Sequence, residues 1–520
     1  LKTDSPYESF GLALGAERHP DRSAVSDEFG SAYTYRELNQ LVDRTIHSLY
    51  AAGVEPGDVI ALLLENRAEA ILVHQVAYRG GFFFTPLNPR LKTSELNYLL
   101  ADSRAKFLFV DALHTGLLAD VDGLANLTVV TVGSDAEGPL TLAGLVGDSP
   151  DDPVEHQFGS VMSYTSGTTG RPKAVIRERR RPSPEALKAV VRFGERLGFD
   201  PVHDRHLSTA PLYHGGPLIS AMHVVNLLGS IHLMRRFDAR HVLDVISEKK
   251  ITSAYMVPTM YHRLLGLPED VRAAADTSSL KSIMHTGAPC PPHLKSQMIE
   301  WLGPVIYECY AATEGYGTYT VCTSDQWLEH PGTVGKPEHD VVTIRDKEGN
   351  ALPAGEIGLV YAKTLPGVAP FEYRGDPEKT DEAYGPDGDY TLGDMGYLNS
   401  DGFLFLTGRA TDMIISGGVN IYPAEVEQAI LQHPKVRDVA VFGVPDDEWG
   451  ETVAAAVQRS PGDTSLREDD IIDFCRERIA TYKCPRRVFI VDDLGRDPSG
   501  KLRKGLLRDS LLGVDEVRPG

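Results

Sequence analysis

The segment SYTSGTTGRPK, residues 163–173, gathers five Ser or Thr hydroxyls, two glycines and a lysine within eleven residues. Glycine permits sharp turns, and small side chains let backbone N–H groups approach a ligand closely. Thr165, Ser166, Thr168 and Thr169 add hydroxyl donors around Gly167 and Gly170, and Lys173 adds a mobile positive charge. Such a set suits a polyanion, most directly the phosphates of a nucleotide. The common NTPase loop needs Gly-Lys-Ser/Thr in succession, whereas Arg171 and Pro172 here separate Gly170 from Lys173. A flexible Ser/Thr/Gly linker has a similar composition, but the ordered finish in Pro-Lys favours a binding loop. The basic run 177–181, broken by Glu178, reads as a solvated loop, with attraction of phosphates as its second reading.

The elements that must position these groups come in two sets. A chain of 520 residues is too long for one ordinary core, so two or more domains are expected. In the first part strand and helix signals alternate. Thr34 and Glu37 read as a capping box, followed by Leu38, Leu41, Val42, Ile46 and Leu49 on one helical face. Apolar runs at 59–66, 82–88, 106–110 and 127–132 read as strands, with a helix near 68–78. This alternation predicts a parallel sheet with helices on its faces. Residues 133–158, polar and rich in Pro and Gly, read as a loop leading to the hydroxyl-rich segment. After about residue 412 the pattern changes to helix 422–432, strand 436–444, helix 468–479 and strand 486–491, a compact α+β unit.

Bulk properties narrow the partners. A formal net charge of −21 argues against nucleic acid and anionic membranes, though not against a small anion met by a local cluster of donors. The five cysteines, Cys290, Cys309, Cys322, Cys475 and Cys484, lack metal-type spacing and point to a reducing, cytoplasmic compartment. No apolar run reaches the ~20 residues of a membrane span. The chain opens on Leu1 rather than Met, which leaves the native N-terminus and any leader open.

TSGTTGRPK is similar to the phosphate-binding signature of the acyl-adenylate-forming superfamily, which includes acyl-CoA synthetases, adenylation domains of peptide synthetases and luciferases. Further segments resemble the family's motifs in the same order: APLYHGGP (210–217), HTGAPCPP (285–292), YAATEG (310–315), GTVGKP (332–337), YTLGDMGYLNSDGFLFLTGR (390–409), DMIISGGVNIYPAEVE (412–427) and PSGKLRK (498–504). The resemblance implies an α/β fold with a large N-terminal domain, 1–409, of sheets packed with helices. A hinge at 410–411 and a small mobile α+β C-terminal domain, 412–520, complete it. It implies an ATP-dependent acid–CoA ligase. A carboxylate attacks the α-phosphorus of ATP, giving acyl-AMP and pyrophosphate, and a thiol then displaces AMP.

On this resemblance Lys501 supplies the charge that bridges carboxylate and α-phosphate, Glu314 carries Mg²⁺ with help from Thr168, and Thr313 donates to the α-phosphate. Asp394 accepts from the ribose hydroxyls and Arg409 contacts ribose or phosphate. Glu308, Cys309 and Tyr310 line the ATP site, with Tyr310 stacked on adenine, and Gly287, Ala288 and Pro289 offer close backbone approach opposite. His214 lies between acid and nucleotide, orienting the carboxylate or gating the thiol. Gly417 and Gly418 line a tunnel for the pantetheine arm of CoA, and Arg236 touches a CoA phosphate. Because Lys501 and the Gly417–Gly418 turn serve different half-reactions, the small domain is expected to rotate about the hinge.

The sequence departs from the family at Thr411, where Asp or Lys is usual, and at Ala174, where the usual residue is Gly. The stretch 364–380 lacks the usual Gly-Tyr and carries Phe371, Tyr373 and Arg374 instead. The alternatives are a stand-alone adenylating enzyme that passes the acid to a carrier protein or another nucleophile, and a catalytically silent binding homologue. Tyr213 to Val225 and His285 to Ala288 are expected to line the acid pocket, with Met222 and Val224 equally readable as core. The identity of the acid and the choice between monomer and homodimer are not legible.

Overall fold

The computed structural model describes residues 11–133, 136–165, 172–179, 181–312, 314, 317–338, 341–364, 369–385, 387–417, 419–497 and 500–513. The helix Tyr35–Ala51 starts as its sequence dictates. The Thr34 hydroxyl accepts from Glu37 N–H, the Glu37 carboxylate accepts from Thr34 N–H at 2.8 Å, and Leu38, Val42, Ile46 and Leu49 are buried. The strands Val59–Leu63, Phe83–Pro86, Phe107–Asp111, Thr128–Val132 and Ser160–Val161 form one all-parallel sheet. The first of these ends short of the expected 59–66, because Asn66 is spent on a buried junction described below. The expected loop 133–158 contains a short helix, Leu142–Val146, capped by the Thr141 hydroxyl.

The larger sheet has a parallel centre: Ile306–Ala312, Ser282–His285, Ser253–Met256, Arg205–Ser208, Ser230–Leu233 and Ser23–Asp27. Antiparallel strands close both edges, Gly317–Cys322 with Lys336–Pro337 on one side and Ala32–Thr34 on the other. Its central strands are almost wholly buried, and they carry His206, His232 and His285 among their small and apolar residues. Two smaller antiparallel sheets follow. One joins Ser163–Thr165, Lys173–Arg177 and Phe371–Tyr373, and the other joins Val342–Arg345, Gly358–Ala362, Tyr390–Leu398 and Leu404–Arg409.

The C-terminal part pairs the long strands Val436–Asp446 and Gly450–Arg459 as a hairpin, flanked by Ile414–Ser416, Val419–Ile421 and Arg487–Val491. Its two apolar clusters draw only on residues from Ile414 onward, and the apolar clusters of the preceding part draw on none beyond Leu406. Between them lies the short 3₁₀ turn Ala410–Asp412.

Candidate active site

The C-terminal ends of the parallel strands Arg205–Ser208, Ser253–Met256, Ser282–His285 and Ile306–Ala312 deliver the segments that carry chemistry, as expected for an open α/β sheet. After Ser208 the chain runs through Leu212 and Tyr213 to His214, which stands at the N-cap of the helix Gly215–Asn226. Asn66 fixes that segment. Its amide donates to the carbonyls of Ala210 at 2.9 Å and Met234 at 3.1 Å, and its side-chain oxygen accepts from Leu212 N–H at 2.8 Å. A buried Asn with three bonds ties the end of the smaller parallel sheet to the end of the larger one. No sequence signal singled it out, because an Asn after an apolar run reads equally well as a turn residue.

The His214 ring packs 4.6 Å from that of Tyr213, and its buried Nε2 has no hydrogen-bond partner among the described residues. Burial pushes the imidazole down to about 4, aided by the positive charges of Lys501 and Arg90 and opposed by Asp497. His214 is therefore neutral at physiological pH. The electrostatic reach of Lys501 and Asp497 to His214 already sets the C-terminal turn beside this segment. The same turn meets the strand end at 285–289: a Cβ placed on Gly500 would lie 3.6 Å from Ala288 Cβ and 3.9 Å from Thr259 Cγ2. Gly287 has φ +87°, and a Cβ on it would meet nothing within 4 Å, so its backbone lies open. Pro289 is exposed beside it.

Tyr310 and Asp394 form a second focus. The Tyr310 hydroxyl donates to Asp394 Oδ2 at 2.6 Å, and Arg409 Nε lies 2.7 Å from Asp394 Oδ1. Strand pairing sets this up, since Asp394 stands opposite Arg409 in the ladder. Burial raises the Asp394 carboxyl above its ordinary range, against the pull of Arg409 and Tyr310. A carboxylate with about four lone-pair sites still has acceptor capacity beyond these two bonds. Glu308 turns the other way. Its carboxylate accepts from the fully buried Lys295 at 2.7 Å, and Cys309 is buried beside it, so both side chains are spent in the interior rather than lining an open site.

Glu314 and Lys173 are braced by the stretch that departs from the family pattern. Phe371–Tyr373 adds a strand to Lys173–Arg177, the Tyr373 hydroxyl donates to Glu314 Oε1 at 3.1 Å, and Lys173 forms an ion pair with Asp376. Arg374 donates to the carbonyls of Asp102 and Ser103 at 3.0 and 2.8 Å, locking the stretch to the C-terminal end of the helix Thr93–Ser103. Arg177, expected in a solvated loop, is buried and donates to the Glu314 carbonyl, and Arg179 donates to the Gly81 carbonyl at 2.8 Å. That part of the basic run is structural, because its guanidinium groups bond partly buried backbone carbonyls.

In the C-terminal part Gly417 has φ +57°, and a Cβ on it would lie 2.5 Å from Trp449 Cε3. Trp449 in turn lies under the Arg486 guanidinium, 5.0 Å from the ring centroid. Arg236 is exposed and within electrostatic reach of Glu65. Thr411 is exposed within the 3₁₀ turn. Thr165 pairs by its backbone with Lys173. Ser166, Gly167, Thr168, Thr169, Gly170, Thr313 and Gly418 lie outside the described residues. Met222 and Val224 are both buried.

Two family models match the sequence: the AMP-binding enzyme model over residues 12–370 and the AMP-binding enzyme C-terminal domain model over 425–501. A feruloyl-CoA synthase of Amycolatopsis sp is 34% identical over 496 residues, covering 95% of this chain and 96% of the relative. A long-chain-fatty-acid–CoA ligase, FadD13 of Mycobacterium tuberculosis, is 32% identical and covers 92% of each. Among solved structures, ATP-bound MatB from Rhodopseudomonas palustris superposes with a TM-score of 0.84 at 28% identity, covering 96% of this chain and 98% of its own.

Proposed function

Because this chain belongs to the AMP-binding enzyme family and is an AMP-forming acyl-CoA synthetase, we propose a division of labour among its residues. Lys501 is the cation of the first half-reaction. An oxygen of the acid attacks the α-phosphorus, the bond to pyrophosphate breaks, and the ammonium bridges the two anions that must approach each other. Asp394 accepts from the ribose hydroxyls while Tyr310 and Arg409 hold its carboxylate in place. Tyr310 and the backbone of 287–289 enclose the base. Lys173 and the hydroxyl-rich loop before it, with Thr313, bind the phosphates.

His214, neutral and unpartnered at Nε2 among the described residues, orients the acid by a hydrogen bond or gates the thiol. In the second half-reaction the CoA sulfur attacks the acyl carbon and AMP leaves with the bonding electrons. Gly417 and Gly418 line the path of the pantetheine arm and Arg236 meets a CoA phosphate. The residues 410–411 act as a hinge between domains 1–409 and 412–520.

Glu314 fits a Mg²⁺ ion, with Thr168 as a second oxygen donor. Its carboxylate is a hard oxygen ligand with one oxygen held by Tyr373. Such an ion would neutralise phosphate charge. The acid is hydrophobic, fatty or aryl: Leu212 and Leu218, two and four residues from His214, are buried and apolar, and the relatives' names point to feruloyl and long-chain acyl groups. Cytoplasmic acid metabolism suits a chain with five free cysteines and, among the described residues, no helix long and apolar enough to cross a membrane.

The observation that carries this reading is the seating of the Lys501 turn against Ala288 and beside His214. Protein, ATP and CoA mixed with palmitate or ferulate are expected to yield AMP and a CoA thioester. Lys501→Ala is expected to lower acyl-AMP formation by about 10²- to 10³-fold. Release of ADP, or an unchanged rate in Lys501→Ala, overturns the assignment. Transfer to a carrier protein without turnover of CoA would replace the acceptor but keep the first half.

A further inference from the structure

A lysine side chain is long and flexible, so aiming its ammonium requires a fixed base. Among the described residues the Lys501 ammonium has no hydrogen-bond or ion-pair partner, yet its backbone is held tightly. Lys501 N–H donates to Asp497 Oδ1 at 3.0 Å, Asp497 N–H donates to the Lys501 carbonyl at 2.9 Å, and Gly500 N–H donates to the Asp497 carbonyl at 2.8 Å. The chain is pinned on both sides of this turn. Before it, Arg496 grips Asp438 with two parallel bonds, Nε to Oδ2 at 2.6 Å and Nη2 to Oδ1 at 2.9 Å, and donates from Nη1 to the Gly500 carbonyl at 3.1 Å. After it, Lys504 Nζ lies 2.6 Å from Glu427 Oε1, which also accepts from Val441 N–H at 2.8 Å. Asp438 and Val441 belong to the strand Val436–Asp446, and Glu427 to the helix Pro423–Ile430.

We propose that Arg496, held by Asp438, is a positioning residue that aims Lys501 for acyl-AMP formation and is dispensable for thioester formation, with Lys504–Glu427 as a second pin. This rests on the reading of Lys501 given above. A bidentate guanidinium–carboxylate pair fixes orientation as well as distance, and this one is half-buried, with side chains 26% and 24% exposed. Nη1 reaches four residues ahead to the carbonyl immediately before Lys501, so the residue shapes the turn, while Nη2 also donates to the Val439 carbonyl at 3.4 Å and ties that turn to the strand. The packing of this end of the chain is supplied separately by Leu494, Leu502, Leu507 and Leu511 against Ala440 and Phe442. Gly500, whose carbonyl Arg496 holds, sits at φ +81° against Ala288 and Thr259.

The test separates the half-reactions in the full chain. ATP–pyrophosphate exchange driven by ferulate or palmitate reads the first, and conversion of the synthetic acyl-adenylate with CoA reads the second. In Arg496→Gln the exchange is expected to fall about a hundredfold, the effect of misplacing a catalytic group by about 1 Å, while the second half stays within about twofold. Parallel loss of both halves means a merely structural role and overturns the proposal, as does exchange within about threefold of wild type. If Arg496→Gln does not fold, Asp438→Asn keeps the shape, weakens the grip, and is expected to give the same split. Lys501→Ala in the same assay tells the two claims apart. Undiminished exchange there sinks the reading of Lys501 itself, whereas its loss there with exchange retained in Arg496→Gln sinks only the positioning role.

Discussion

Asp394 illustrates what a residue can and cannot reveal by itself. Its place in YTLGDMGY marked it as a ribose acceptor by resemblance, but only the packed structure joins it to Tyr310 and Arg409. Those two donors orient the carboxylate, and under the proposed ribose role a change at Asp394 is expected to act on nucleotide binding more than on chemistry. Asp394→Asn is expected to raise the KM for ATP about 10- to 100-fold, the range for a lost hydrogen bond to a charged group, with a smaller effect on kcat. Steady-state kinetics with varied ATP checks it, and an unchanged KM would remove Asp394 from the ribose site. Tyr373 shows the opposite case. Nothing in the sequence suggested a partner for it, because its contact with Glu314 spans 59 positions and depends on a strand pairing that local pattern does not specify.

At the scale of elements, the turn after Ile414–Ser416 depends on one glycine. Gly417 combines a left-handed backbone with a close approach to Trp449, so any side chain meets both a backbone cost and a clash. Gly417→Ala is expected to cost about 1–2 kcal/mol in stability of the C-terminal part and to slow thioester formation while leaving pyrophosphate exchange near wild type. Denaturation curves and the two half-reaction assays check this together. Equal slowing of both halves would argue that the turn supports the whole part rather than the CoA path. The helix starting at Tyr35 was legible because its signals are local: a capping box and an apolar face at helical spacing. The Asn66 junction and the strand Phe371–Tyr373 were not, because each is defined by partners far along the chain.

For the whole molecule, protonation couples the interior to stability. Burial holds His74, His156, His214, His223 and His232 down to about 4, His206 down to about 3, and His285 well below its ordinary value. In the unfolded chain each titrates near ~6.5. The unfolded state therefore binds more protons as pH falls, and stability, full above about 6.5, is lost progressively between about 6.5 and about 4. The urea midpoint is expected to be clearly lower at about pH 5 than at about pH 7.5; an equal or higher midpoint at the acid end contradicts these assignments. A second expectation concerns the proposed rotation of the C-terminal part. Thr411→Pro fixes φ near about −65° within the connecting turn. If rotation there serves the second half-reaction, this variant retains pyrophosphate exchange and loses about tenfold or more in thioester formation. Equal rates in both halves would place the hinge elsewhere.

The sequence by itself determined the succession of elements and the chemistry available to them. Alternating apolar runs and caps are local, and the ordered motifs place Lys173, His214, Glu314, Asp394 and Lys501 in one family of reactions. Only the tertiary structure decided how those groups are held: Asp394 by Tyr310 and Arg409, Glu314 by Tyr373, and the Lys501 turn by Arg496 and Asp438. It also decided that Glu308 faces Lys295 in the interior and that Arg177 is a buried brace rather than a solvated charge. The physical reason is the same in each case. A hydrogen bond or ion pair between residues tens or hundreds of positions apart is set by which strands pair and which faces pack, and no local spacing in the chain records that choice.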